Sequence, residues 1–182
     1  MTTNRKEAIM ERTGIVTLKG NPVTLVGPEI KVGDKAPDFT VLDGGLQPVT
    51  LADSAGKVRL IASVPSLDTP VCNLETVRFN AEADKLPTDK VAVIVISVDL
   101  PFAQGRFCSS EGIKNVRTLS DHRDVNFGTS YGTLMKEVRL LSRAIFVVDA
   151  KGVVRYVEYV KEVGEHPDYV KALNAVSAAT AA

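Results

Sequence analysis

The run VAVIVISV, residues 91–98, carries no charge and a single hydroxyl. A strand with one wet face alternates apolar and polar side chains, and this run does not. Nor can it span a bilayer, which takes roughly 20 residues of helix. It therefore predicts a central strand covered on both faces, and the segments around it must supply the cover. Residues 58–64, VRLIASV, read as a second strand. Residues 72–86 read as a helix with Leu74, Val77 and Ala81 on its apolar face. Residues 101–110 read as a helix, with Asp99 near its start and Gly112 just past its end. A short strand at 116–119 and a short helix at 122–131 follow. AIFVVD and VVRYVEYV flank Ala150-Lys151-Gly152, a hairpin signal, and a helix closes the chain over 167–178. The order β-α-β-α-β-α-β-β-α predicts the α/β class, with a mixed central sheet flanked by helices and right-handed crossovers.

Upstream, GIVTLKGNPVTLVG places two β-rich runs around Gly20-Asn21-Pro22, an expected hairpin. Short strands are expected at 39–42 and 49–51. Residues 1–13 are polar and read as a flexible leader, with residues 14–182 as one domain. The leader lacks the apolar core of a secretory signal. Lys plus Arg equals Asp plus Glu at 22 each, so no bulk charge draws nucleic acid or an anionic membrane. The expected location is cytoplasmic, where a permanent disulfide is not anticipated.

Only two cysteines are present, and Cys72 falls at the joint between strand and helix in SVPSLDTPVC. Thr69 can cap the helix and Pro70 suits its first position. Cys72 then lies in the first turn, beside unpaired N–H groups and the positive end of the helix dipole. Such a place favours thiolate, the nucleophilic form. Position alone leaves a plainer alternative open, since a free cysteine is often a small buried hydrophobe. Residue 75 is Glu, so there is no C-x-x-C redox pair. Cys72, Cys108, His122 and His166 show no zinc-site spacing. Asp68, Asp99 and Glu75 read as caps or solvated charges, and His122 as exposed at a helix start. Phe102, Phe107 and Phe127 read as core, with the lining of an apolar pocket as the alternative for some of them.

The pattern P-x-x-x-T-x-x-C at Pro65, Thr69 and Cys72 resembles the active-site motif of peroxiredoxins. SVPSLDTPVC, DLPFAQGRFC (99–108), GNPVTLVG (20–27) and SRAIFVVD around Arg143 resemble, more narrowly, the thiol peroxidase subfamily of atypical two-cysteine type. The match runs from about residue 14 to residue 173. The resemblance implies a thioredoxin-like fold with an added N-terminal β-hairpin. It implies Cys72 as the peroxidatic and Cys108 as the resolving cysteine. Thr69 and Arg143 would orient the peroxide and stabilise the thiolate, and Pro65 would shield it. Thr69 as a mere cap and Arg143 as a surface ion pair remain the plain alternatives. The implied activity reduces hydrogen peroxide and organic hydroperoxides to water and alcohols. It runs through a Cys72 sulfenic acid and an intramolecular Cys72–Cys108 disulfide, recycled by thioredoxin, and needs no metal, haem or flavin cofactor. A homodimer is implied as well. The two cysteines belong to different helices, so local unwinding after Pro70 or around Cys108 is expected, with Gly105 a yielding point. A reading from another class is an inactive thioredoxin-like binding module that reports oxidation to a partner.

Overall fold

The computed structural model describes residues 10–182. Strands β1 (Glu11–Leu18) and β2 (Asn21–Val26) form the expected hairpin, antiparallel across Lys19 and Gly20. Both turn residues have positive φ, 51° and 77°, the turn geometry that matches strand twist. The turn thus ends before Asn21 and Pro22, which already pair in β2. The expected leader 1–13 is too long at its end, because Glu11, Arg12 and Thr13 already belong to β1. Arg12 holds this end down: its Nε donates to the Gly27 carbonyl at 3.0 Å and its Nη2 to that of Gly132 at 2.6 Å. Polar composition concealed a strand fixed by backbone and arginine rather than by apolar burial. Residues 1–9 of the expected leader lie outside the described residues.

Next come β3 (Thr40–Leu42), β4 (Pro48–Thr50) and a 3-10 turn at Leu51–Ser54. Strand β5 (Val58–Ser63), helix α1 (Pro70–Ala83), β6 (Val91–Ser97), α2 (Pro101–Glu111) and β7 (Arg117–Ser120) follow the expected alternation. After α3 (Asn126–Ser130) the chain makes two tiny strands, β8 (Leu134–Met135) and β9 (Leu140–Leu141). Sequence pattern missed them, since two residues are too few to show a period. Strands β10 (Ala144–Val148) and β11 (Val154–Tyr159) and helix α4 (Tyr169–Ala181) complete the chain.

The main sheet has the order β11-β10-β5-β6-β7-β3-β4, so the uncharged run lies in its middle, as β6. Strands β5, β6 and β7 are parallel, whereas β10 is antiparallel to both β5 and β11. The smaller sheet has the order β1-β2-β8-β9. One face of the main sheet offers Leu60, Ala62, Val93, Val95, Ile145 and Val147. They pack with Phe79 of α1, Phe107 of α2 and Ala172 and Val176 of α4. The other face offers Ile61, Ile94, Ile96, Phe146 and Val148 to Phe39, Phe127 of α3 and Tyr131. Phe127 and Tyr131 stack with ring centroids 4.6 Å apart. Each such fully buried aromatic or branched side chain contributes about 1.5–3 kcal/mol. The N-terminal hairpin seats against the α3–β8 connection through glycine. A Cβ on Gly27 would lie 1.9 Å from the Thr129 carbonyl oxygen, and one on Gly132 2.0 Å from that of Pro28. No helix among the described residues is long and apolar enough to cross a membrane.

Two burial expectations fail. Helix α1 turns Cys72, Glu75, Thr76, Phe79 and Ala83 inward, and Leu74 is 58% exposed. Thr76 and Glu75 tolerate burial because each has a partner: Thr76 Oγ1 donates to the Cys72 carbonyl at 2.8 Å, and Glu75 meets Arg143. Phe102 is 66% exposed, while Phe107 and Phe127 are buried as expected. In α2 the inward positions are Pro101, Gln104 and Phe107, which leaves Phe102 on the outer side.

Candidate active site

The segment from Pro65 to Cys72 occupies the loop from β5 to α1 and the first turn of that helix. The Val64 N–H still donates to the Ile96 carbonyl at 3.0 Å, extending the parallel pairing one residue past β5. Pro65, which has no N–H to continue the ladder, then turns the chain and is itself buried. A tight turn follows, closed by Thr69 N–H to the Ser66 carbonyl at 3.1 Å. Thr69 has the extended backbone of a helix N-cap and Pro70 begins α1, as the sequence predicts. The Thr69 hydroxyl, however, makes no capping bond. It lies 2.8 Å from Cys72 Sγ and 2.8 Å from the Ser66 carbonyl oxygen. One proton serves two acceptors. With a Cys72 thiol, the S–H can donate to Thr69 Oγ1 and the hydroxyl to Ser66. With a thiolate, the hydroxyl turns to the sulfur.

Arg143 comes from the link between β9 and β10, 71 residues away from Cys72 along the chain. Its guanidinium is used on three sides. Nε donates to the Val163 carbonyl at 3.0 Å, Nη1 to Glu75 Oε2, and Nη2 to Cys72 Sγ at 3.2 Å. The Arg143 side chain is 2% exposed and that of Glu75 0%, so this is no surface ion pair. A planar donor fork held on three sides has little freedom left, which suits a group that must keep its aim. Burial pushes the Glu75 carboxyl up to about 7, with Arg143 pulling the other way. Burial also works against the Arg143 charge, but Glu75 and Cys72 more than offset it and the pKa is raised. The second oxygen of Glu75, Oε1, is buried without a hydrogen-bond partner. Cys72 itself is fully buried, at 0% exposure.

Cys108 is half-buried on α2, with Sγ 3.3 Å from Thr118 Oγ1 of β7. Its carbonyl accepts the Ile113 N–H at 2.9 Å, which fixes the end of α2. Both thiols are free. A groove of about 600 Å³ runs between the start of α1 and α2, lined by Leu67, Thr69, Asn73, Arg106, Phe107 and Ser110 among others. Thr69 both lines this groove and contacts the Cys72 sulfur.

Thr69, Cys72 and Arg143 therefore come together, and Cys108 is held by separate partners. Asp68 is exposed, in line with a solvated charge. Glu75 is the main correction, since it is buried beside the sulfur rather than solvated. Its signal was available: three residues after Cys72, it shares that helix face. Asp99 is half-buried and receives three hydrogen bonds rather than lying in solvent. His122 is half-buried instead of exposed, with Nδ1 2.9 Å from Ser120 Oγ. Among the described residues no group of three His, Cys, Asp or Glu is placed to hold a metal ion.

A family model described as Redoxin matches residues 31–173. The chain is 58% identical, over 164 residues, to the thiol peroxidase of Halalkalibacterium halodurans, covering 90% of this chain and 98% of that one. The thiol peroxidase of Bacillus subtilis is 55% identical over 163 residues, covering 90% and 96%. The chain belongs to the thiol peroxidase subfamily of the peroxiredoxins. Solved structures agree with this membership. A peroxiredoxin-like protein from Aquifex aeolicus superposes with a TM-score of 0.84 at 45% identity, over 94% of this chain and 99% of that one. A thiol peroxidase from Chromobacterium violaceum gives 0.79 at 26% identity, over 90% and 95%. The thioredoxin-like fold expected from the sequence is thus the fold of this peroxiredoxin.

Proposed function

We propose that the protein reduces hydrogen peroxide and organic hydroperoxides, with Cys72 as peroxidatic and Cys108 as resolving cysteine, and that thioredoxin recycles it. The observation that carries this reading is the pair of donors on one sulfur, the Thr69 hydroxyl and Arg143 Nη2. Both stabilise negative charge on sulfur. When a peroxide enters, both are placed to hold its two oxygens in line with the sulfur and to meet charge developing on the leaving one. The Cys72 thiolate attacks the terminal oxygen, the S–O bond forms, and the O–O bond breaks. Alkoxide or hydroxide leaves and takes a proton, giving alcohol or water, while sulfur is oxidised to sulfenic acid. Pro65 shields the sulfur from solvent. The Cys108 thiol then displaces the sulfenic hydroxyl, forming the Cys72–Cys108 disulfide and releasing water. A thioredoxin dithiol restores both thiols and becomes a disulfide in turn. A reducing compartment, the cytoplasm, is the location that fits this cycle. A homodimer belongs to the same reading, and Leu74 and Phe102, both more than half exposed, offer apolar surface for it.

The test is substitution of each sulfur. Cys72→Ser is expected to abolish peroxide consumption, because a hydroxyl is a far weaker nucleophile at neutral pH. Cys108→Ser is expected to form one sulfenic acid and then fail to recycle with thioredoxin. Steady-state turnover by the Cys72 variant would overturn the assignment. Absence of turnover by the wild type with thioredoxin and its reductase would favour an inactive binding module.

A further inference from the structure

The motif around Cys108 begins at Asp99, and the peroxidase chemistry uses neither Asp99 nor Gln104. Both are nonetheless built into one hydrogen-bonded chain. Asp99 Oδ1 accepts from Ser66 Oγ at 2.7 Å. Asp99 Oδ2 accepts from the Leu67 N–H at 2.8 Å and from Ser97 Oγ at 2.7 Å. Gln104 of α2, 2% exposed, donates through Nε2 to Ser97 Oγ at 3.0 Å and to the Leu119 carbonyl at 2.8 Å. On the other side, the Ser66 carbonyl accepts the Thr69 hydroxyl, the same hydroxyl that reaches Cys72 Sγ. Among the described residues Asp99 makes no ion pair; its carboxylate is satisfied by three neutral donors drawn from the loop and from the end of β6. That is the arrangement of a connector, not of a charge partner.

We infer that Asp99 is a positioning residue that latches the Ser66–Leu67 turn in the geometry for peroxide attack and ties that turn to α2. The inference rests on the peroxidase reading above. Cys108 lies one helical turn after Gln104, so unwinding α2 to deliver Cys108 pulls Gln104 away from Ser97. Ser97, which donates to Asp99, then loses its own donor from α2, and the turn that aligns Thr69 loosens. The two cysteine-bearing segments thereby open together. The latch favours the first chemical step and opposes the second.

Two variants test it, Asp99→Ala and Asp99→Asn, the second keeping one acceptor oxygen. Quenched-flow mixing with one equivalent of hydrogen peroxide, read by intact mass, separates sulfenic acid formation from disulfide formation. In Asp99→Ala, oxidation of Cys72 is expected to slow by about tenfold, the order set by losing a charge-assisted hydrogen bond. Disulfide formation is expected to hold its rate or quicken, and Asp99→Asn to fall between Asp99→Ala and the wild type in both steps. Hydrogen exchange in the reduced variant is expected to rise in residues 66–72 and 101–108 together, with 91–97 still protected. An unchanged oxidation rate, equal slowing of both steps, or loosening of one segment alone overturns the latch. Should Asp99→Ala fail to fold, the same criteria apply to Asp99→Asn. Failure of the wild type to form any sulfenic acid or disulfide would instead overturn the peroxidase reading itself.

Discussion

At the residue scale the site is a competition for one guanidinium. Arg143 faces both a carboxylate and a sulfur in a buried space, and its charge is shared between them. Arg143→Met removes the donor to sulfur and, in the proposed mechanism, to the leaving oxygen, and is expected to slow Cys72 oxidation by about 2–4 kcal/mol of barrier. Rapid-mixing oxidation rates at several pH values check this, and an unchanged rate would make Arg143 purely structural. Glu75→Gln acts in the opposite sense. The amide oxygen can still accept from Nη1, but the negative charge beside the sulfur is gone. The thiolate is then favoured more strongly, and the pH profile of peroxide reactivity is expected to move to lower pH. A profile that stays in place would show that Glu75 does not share the Arg143 field with Cys72.

At the scale of elements, the proposed cycle asks α1 to activate the sulfur and α2 to deliver a partner to it. Cys72 Sγ is bound by Thr69 and Arg143, and Cys108 Sγ rests on Thr118, so the proposed bond between them breaks these contacts, and unwinding of one or both segments is expected. Gly105 lies mid-way along α2, and a Cβ placed there meets nothing within 4 Å. Gly105→Ala therefore fits and strengthens the helix by up to about 1 kcal/mol. If α2 unwinds during resolution, disulfide formation is expected to slow by up to about fivefold while the first oxidation is untouched. Hydrogen exchange supplies the companion measurement. Oxidation is expected to raise exchange in residues 72–78, in 104–112 or in both, and to leave 91–98 protected. Identical protection in the two states, with the disulfide confirmed by mass, would sink the idea of unwinding.

At the scale of the whole molecule, buried acids set how stability answers to pH. Burial raises Glu75 to about 7 and Asp121 to about 6, against ordinary values of 4.5 and 3.8. Asp121 sits under α3, accepting N–H bonds from Phe127 and Gly128. A carboxyl whose pKa is raised by folding holds its proton more tightly in the fold. Its contribution to stability is complete below the unfolded value and is lost as pH rises through the folded one. Glu162 runs the other way. Hydrogen bonds from Gly20, Thr17, Gly164 and Lys19 hold it at about 2, so its contribution is present above 4.5 and lost as pH falls towards 2. The melting temperature is expected to decline from about pH 5 to about pH 7, and Glu75→Gln to flatten that decline. A wild-type melting temperature that rises across this window would contradict the assignment.

The sequence by itself determined the alternation of strands and helices, the central place of β6, both hairpins and the position of Cys72 at the start of a helix. Each of these is local: hydrophobic period, turn residues and capping residues lie within a few positions of what they specify. Family motifs added the names of Cys108, Thr69, Arg143 and Pro65 but not their arrangement. Only the tertiary structure decided which face of α1 turns inward, because Glu75 can be buried there only if a cation arrives from 68 residues away. The same holds for Asp99, whose donors Ser66 and Leu67 are brought to it by the parallel pairing of β5 with β6. Phe102, apolar but turned outward, and the two-residue strands β8 and β9 escaped for the same reason. Their fate depends on what packs beside them, and periodicity along a chain carries no record of that neighbour.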